Sequence, residues 1–329
     1  MEGKTVVITG STAGIGYYSA LGIARTGARV VITGRDKARG EAARQQIAEA
    51  ANNQNVELVI GNVSSLASID ALAKELLVRI DKLDVLVNNA GYMGNERTTS
   101  DDGLEMHFAV NVLAPWRLTH ALLPALKKGT GRVLNLTAGD APSGTPVPLN
   151  VDNLQAEKGF KGLLTMAHSK SVMEAMSVAT ARELEAEGVT VNIIWPGRAS
   201  TAMTRSVSMK GLPGPMKPMI CCFMCMVSVT ARGLERDPPP FGPSTASGHG
   251  LVPHRLSQFA KDGGKSAAKA SRSTVWAAIG PELDGVTGKY YDNNMKERKL
   301  HKKAASPKVQ EQILAVLKAA VKDAPQLPV

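Results

Sequence analysis

Aromatic side chains make up only 4% of this chain, too few to stack many bases, so nucleic-acid binding is not expected despite a formal net charge of +10. The basic residues are spread along the sequence, with one concentration between Lys289 and Lys303. That distribution describes a solvated basic face, partly serving a phosphorylated ligand. Cysteine is scarce too. The three present fall within Cys221–Cys225, which excludes a disulfide framework and suits a reducing compartment. Cys222 and Cys225 have the spacing of half a metal site, but no second ligand pair follows, so no metal is expected. An apolar run begins within four residues of the first methionine. It leaves no room there for a signal peptide or membrane anchor, and the expectation is a cytoplasmic protein. The methionine-rich stretch Pro218–Val229, at twelve residues, is too short to span a bilayer. Its reach is limited to peripheral contact with a membrane interface.

What is present is alternation. Short runs rich in Val, Ile and Leu at Thr5–Thr9, Arg29–Thr33, Val56–Ile60, Leu83–Val87, Arg132–Thr137 and Val189–Ile194 read as buried parallel strands. Between them lie segments of helical composition at Ala38–Ala51, Leu66–Ile80, Leu104–Lys127 and Leu163–Glu187, long enough for right-handed crossovers. A further short strand is expected at Val286–Tyr291. The fold class is therefore α/β: a Rossmann-type doubly wound parallel sheet of about seven strands, in one domain with a long insertion. Residues 1–205 form the dinucleotide-binding core, 206–265 a substrate lid and insertion, and 266–329 the C-terminal completion. Within the insertion, 230–264 is rich in Pro, Gly, Ser and Arg without periodicity, which predicts disorder or a long loop. Helical composition resumes at Ser266–Ile279. Near the C-terminus Ser306 and Pro307 form a helix-start signal, followed by the stripe Val309, Ile313, Val316, Leu317 and Val321. That helix docks either on the sheet or at a subunit interface.

The most informative stretch is Thr9–Gly16, made of Gly10, Ser11, Thr12, Ala13, Gly14, Ile15 and Gly16 after the first strand. Glycines permit positive φ and close backbone approach, and the N–H groups opening the next helix point outward at the positive end of its dipole. A strand, a glycine turn and a helix start in that order form a pyrophosphate site. At the end of the second strand an acidic residue would bind the ribose 2′-hydroxyl of NAD. The chain instead has Arg35, a guanidinium suited to a 2′-phosphate, beside Asp36. NADP(H) is preferred, with NAD(H) left open.

With Asn88-Asn89-Ala90-Gly91 after the fourth strand, Asn111 in Asn-Val-Leu-Ala-Pro-Trp, and Pro196-Gly197 after the sixth, the chain resembles the short-chain dehydrogenase/reductase family over about residues 3–205. Arg35 and the run Gly285–Tyr291 look most like its retinol dehydrogenase branch. The resemblance implies that Asn88–Gly91, with Asn89, Ala90 and Gly91 at the cofactor, shape the adenine side of the cleft and brace the central strand, and that Thr201 touches the nicotinamide carboxamide. Asn62 stands where the family usually has an adenine-binding aspartate, and its amide oxygen still offers an acceptor. A homo-oligomer packed through the Lys170 helix and its neighbour is also implied.

Catalysis in that family runs through a serine, a tyrosine, a lysine and a supporting asparagine. The tyrosine protonates the developing alkoxide, the lysine one turn later lowers its pKa and holds the nicotinamide ribose, and the serine orients the carbonyl. Here Lys170 and Asn111 match. Four residues before Lys170, however, stands Met166, which has no exchangeable proton, and the serine position is Ala138. Thr137 is the nearest hydroxyl, though using it would cost a one-residue shift in strand register. Three readings follow. The chain acts on a lipophilic alcohol or carbonyl with a proton from elsewhere, His168, Tyr92 or His107 being candidates. It reduces a polarised C=C bond, as dienoyl-coenzyme A reductases of the family do without this tyrosine. Or it binds NADP(H) without turnover, as a sensor or partner-binding module.

Overall fold

The computed structural model describes residues 1–138, 149–197, 199, 201 and 265–322. Eight strands form one sheet in the order β3-β2-β1-β4-β5-β6-β7-β8. They are β1 Thr5–Ile8, β2 Arg29–Gly34, β3 Val56–Ile60, β4 Val85–Asn88, β5 Arg132–Leu136, β6 Thr190–Ile194, β7 Tyr290–Tyr291 and β8 Glu297–Arg298. All neighbours pair in parallel except β7 with β8. The strand order reverses between β1 and β4, and that reversal opens a crevice at the carboxyl ends of the two strands.

The sequence places β1 to β6 within a few residues and misses β8. The hairpin of β7 and β8 is only two residues deep on each side, and its polar Glu297 and Arg298 carry no hydrophobic alternation. The expected strand over Val286–Tyr291 shrinks to its last two residues because the Val286 N–H closes a turn on Leu283 and Gly288 bends the chain at φ +71°.

Helices α1 (Gly14–Ala24), α2 (Lys37–Ala51) and α3 (Leu66–Arg79) follow the first three strands. The long helix expected over Leu104–Lys127 is instead four pieces. These are α4 (Met106–Phe108), a π-helical turn (Ala109–Leu113), α5 (Ala114–Ala121) and α6 (Leu123–Lys128). Pro115 and Pro124 each open a piece, where a missing N–H is tolerated, and the break at Leu122 falls between them. Helix α7 (Gly162–Leu184) then crosses the sheet, and α8 (Lys265–Ile279) and α9 (Pro307–Ala320) complete the fold.

Helices α1, α2 and α8 cover one face of the sheet, burying Ile23, Ile47 and Val275 with Val6, Ile8 and Ile32. Gly22 lets α1 meet α8 closely, since a Cβ there would stand 2.7 Å from Val275 Cγ2. The chain that follows the insertion thus rejoins the core that residues 1–138 began. On the other face, Ile69, Leu72 and Leu76 of α3 pack with Leu118 of α5 and Leu184 of α7 over Val7, Val31 and Leu86.

Helix α9 lies across α7, with Ile313 and Leu317 fully buried among Val172, Met173, Met176, Phe108 and Trp116. Of the predicted stripe, Val316 is 37% exposed and lies off the contact. Ser306 precedes Pro307 as expected but makes no side-chain capping bond. The docking is intramolecular and covers part of the α7 face through which oligomer packing was expected. No described helix is long and apolar enough to cross a membrane. The lid stretch Pro218–Val229, its cysteines and the run 230–264 lie outside the described residues.

Candidate active site

The sequence-predicted binding residues gather along the carboxyl edge of the sheet. The β1–α1 turn is stitched to both neighbouring strands by its own hydroxyls. Ser11 Oγ donates to the Ile8 carbonyl at 2.7 Å and accepts the Thr33 N–H at 3.1 Å. Thr9 Oγ1 accepts the N–H groups of Asn89 and Ala90, both at 3.0 Å. Asn89 Nδ2 donates back to the carbonyls of Thr9 and Gly10, at 2.8 and 3.0 Å. Gly10 and Gly14 both sit at positive φ, +63° and +60°. A Cβ on Gly10 would stand 2.9 Å from Ala90 Cα, so glycine is required there. The N-cap of α1 is Ala13, which cannot cap through its side chain. The N-cap side chain leaves the first-turn N–H groups uncapped, the arrangement an anion needs at a helix start.

At the end of β2, Asp36 caps α2 by accepting the Arg39 N–H at 2.9 Å and pairs with the Arg39 guanidinium at 3.6 Å. The carboxylate beside Arg35 is therefore committed to its own helix. Arg35 itself is exposed and takes no ion-pair partner among the described residues. Thr12 lies against Gly34, the residue before Arg35. After β3, Asn62 Oδ1 accepts the Val63 N–H at 2.9 Å and its amide donates to Ser64 Oγ at 2.6 Å. One lone pair of that oxygen remains for a ligand. Thr201 rests against the glycine turn, 3.5 Å from where a Cβ on Gly14 would be. Gly197, next to the buried Pro196, takes φ +82° to turn the chain after β6.

The chemistry-bearing residues meet where α7 crosses β5. Lys170 is 9% exposed and donates from Nζ to the Leu136 carbonyl at 2.8 Å. Burial pushes its ammonium pKa down to about 8, and the negative charge of Glu174 opposes that shift. Asn111 lies in the π-helical turn, and that widened turn aims its side chain inward. Its Oδ1 accepts the Tyr92 N–H at 2.8 Å. Its Nδ2 donates to the Tyr92 carbonyl at 3.1 Å and to Ser169 Oγ at 2.9 Å. Ser169 passes the link on to the Met166 carbonyl at 2.7 Å. Asn111 thus ties the loop after β4 to the turn of α7 that carries Met166 and Lys170.

Thr137 follows β5 with its hydroxyl directed at Glu174, donating to Oε1 at 2.5 Å in a buried pair. A hydroxyl has one proton to donate, so Thr137 in this arrangement has none for a substrate carbonyl. Ala138 is half-buried one residue further on.

The other proton donors considered are held elsewhere. His168 Nε2 accepts the Asn150 N–H at 3.0 Å, and burial lowers its pKa. His107 is fully buried. Gly94 N–H donates to its Nε2 at 3.1 Å, which leaves Nδ1 to carry the proton toward Glu105, 2.6 Å away. Tyr92 is half-buried, with its ring edge against His107 and its hydroxyl 3.2 Å from Thr98 Oγ1.

Asn135, Ser169 and Glu174 escape a reading of the sequence. Asn135 joins Asn88 to Ser177 in a buried chain of 2.8 Å hydrogen bonds. Two polar residues on apolar surfaces give a visible signal: Asn135 between Leu134 and Leu136, and Glu174 beside Met173, Ala175 and Met176.

Strand order, reversal point and glycine turn define a doubly wound nucleotide-binding fold. A family model described as short chain dehydrogenase matches residues 4–211, and the chain belongs to that family of oxidoreductases. It is 28% identical to mouse retinol dehydrogenase 14 over 320 residues, covering 94% of this chain and 83% of that protein. It is 36% identical to human retinol dehydrogenase 11 over 209 residues, 63% of this chain and 65% of that one. Among solved structures, an uncharacterised protein from Mycobacterium paratuberculosis aligns over 100% of this chain and 96% of its own, with a TM-score of 0.65 at 20% identity. A variant of actinorhodin polyketide ketoreductase solved with NADPH aligns over 88% of this chain and 95% of its own, with a TM-score of 0.59 at 22% identity. At such identities the structural likeness speaks for the fold.

Proposed function

We propose that this chain is an NADP(H)-dependent oxidoreductase acting on a lipophilic alcohol or carbonyl compound, or on a polarised C=C bond. The observation that carries the reading is a shared edge. The uncapped start of α1, the exposed Arg35 and the buried Lys170 all lie at the carboxyl ends of the strands around the reversal point. The residues fit the cofactor. The tight glycine turn admits a pyrophosphate, Arg35 meets a 2′-phosphate, and Asn62, Asn89, Ala90 and Gly91 line the adenine side. Pro196, Gly197 and Thr201 flank the nicotinamide side. Bound NADPH supplies a hydride. Lys170 holds the ribose, and Asn111 fixes the α7 turn against the loop after β4. The relatives named for retinol, an apolar alcohol, support a lipophilic substrate.

A second reading, binding without turnover, is favoured by Met166, Ala138 and the commitment of Thr137 to Glu174. Two measurements on one sample separate them: NADPH affinity by calorimetry, and NADPH oxidation against aldehydes, ketones and enones. Turnover on any class supports the oxidoreductase, and turnover on enones alone assigns C=C reduction. Tight binding with no turnover selects the sensor, and absence of NADPH binding overturns both.

A further inference from the structure

Glu174 is a buried carboxylate that the proposed chemistry leaves unused. It stands one helical turn beyond Lys170 on α7, 7% exposed, in a stretch whose neighbours Met173, Ala175 and Met176 are buried and apolar. The two residues are fastened to consecutive positions at the end of β5. Lys170 donates to the Leu136 carbonyl and Glu174 accepts from the Thr137 hydroxyl. A buried ammonium and a buried carboxylate each favour the neutral form, unless an opposite charge is near.

Among the described residues, the other charges packed around α7 have partners of their own. On α4, His107 bonds Glu105, and on α5, Arg117 pairs with Asp70 while His120 pairs with Glu183. Lys318 of α9 also pairs with Glu183, near the far end of α7. Arg132 opens β5 at its opposite end and pairs with Asp284. Strand β6 brings no ionisable side chain. Met173 Sδ lies 4.0 Å from Lys170 Nζ and carries no charge. Of the described groups, Glu174 is the one whose charge acts on Lys170.

We propose that Glu174 is a positioning residue, the buried counter-charge that keeps Lys170 an ammonium in the cleft while holding the Thr137 hydroxyl out of the vacated serine role. The consequence for cofactor affinity rests on the reading that Lys170 holds the nicotinamide ribose. The charge state of Lys170 does not depend on that reading.

The test is a pH titration of the chain without cofactor, labelled with ¹³C at lysine Cε and followed by NMR. Lys170 is assigned by the signal missing from Lys170→Met. The wild-type midpoint is expected near about 8, and in Glu174→Gln it falls by about one pH unit or more. If Glu174→Gln does not fold, Glu174→Leu removes the charge while filling the volume and is held to the same expectation. Thr137→Val removes the hydrogen bond but keeps the charge, so its midpoint stays near wild type. A charge-removing variant that titrates with the wild type overturns the proposal. So does a Thr137→Val shift as large as that of Glu174→Gln. NADPH affinity measured alongside is expected to weaken in Glu174→Gln at neutral pH and to recover as the pH is lowered. Failure of the wild type to bind NADPH would count against the cofactor reading, while the titration still decides the role of Glu174.

Discussion

Asn89 fills the space into which a side chain on Gly16 would grow. Its amide donates to the carbonyls of Thr9 and Gly10, and a Cβ on Gly16 would collide with that amide and stand 2.8 Å from Gly10 O and 2.9 Å from Ser11 Cα. One methyl group would therefore push apart the first turn and the loop after β4. For Gly16→Ala we expect a loss of about 1–3 kcal/mol in stability from overpacking, together with loss of dinucleotide affinity. Urea denaturation and NADPH calorimetry check the two effects. A variant with wild-type affinity would show that the turn is not the pyrophosphate site.

On the proposed reading, Arg35 is the residue that would distinguish the two nicotinamide dinucleotides. Its neighbour Asp36 is occupied at the start of α2, so the guanidinium faces solvent uncompensated by that carboxylate. Arg35→Ala should weaken NADPH binding by about tenfold or more, the worth of one charge-assisted hydrogen bond, and change NADH binding little. Equal losses for both dinucleotides would mean that Arg35 does not read the 2′-phosphate.

The parts legible in the sequence are those that local patterns encode. Strands β1 to β6 carry runs of branched apolar residues, and the glycine turn directly follows the first of them. Contacts made at long range are not legible. Thr137 reads as a spare hydroxyl until Glu174, 37 positions later, is seen to accept its hydrogen bond. The π-helical turn at Asn111 is hidden for a different reason, since its residues Ala109–Leu113 would equally suit an α-helix.

The docking of α9 gives a stability prediction. Leu317 is fully buried against α7 and the α4–α5 region, so Leu317→Ala should cost about 2–5 kcal/mol, read by thermal or denaturant unfolding. Because α9 covers part of the α7 face, the same variant run on a sizing column with light scattering reports whether exposing that face promotes self-association.

Glu183, which anchors α9 through Lys318, adds a pH dependence. The His120 ring, with Nε2 3.4 Å from Oε2, chiefly, and then Lys318 hold its pKa down at about 2 despite partial burial. A carboxylate whose folded pKa is depressed contributes stability that is present above its unfolded pKa, about 4.3, and is lost as the pH falls through about 2. Acid unfolding of Glu183→Gln should therefore lose part of the wild-type slope in that window. An unchanged slope would place the acid sensitivity elsewhere.

Met166 and Ala138, the positions that the family resemblance matches to the tyrosine and serine, supply the sharpest test of the proposed chemistry. Met166 lies one turn before Lys170, and Ser169 and Asn111 already hold that turn against the loop after β4, so a tyrosine at 166 would enter a braced site. A serine at 138 would bring a hydroxyl that, unlike that of Thr137, is not committed to Glu174. Restoring a positioned proton donor is worth about 10² to 10⁴ in rate. The double variant Met166→Tyr, Ala138→Ser should raise NADPH-dependent carbonyl reduction by about that factor, with the larger part of the gain appearing in kcat. Each single variant should give less, because proton delivery and carbonyl orientation act on the same bond. A double variant that folds and binds NADPH as the wild type does, yet reduces no carbonyl faster, would show that the missing tyrosine and serine are not what limits this site.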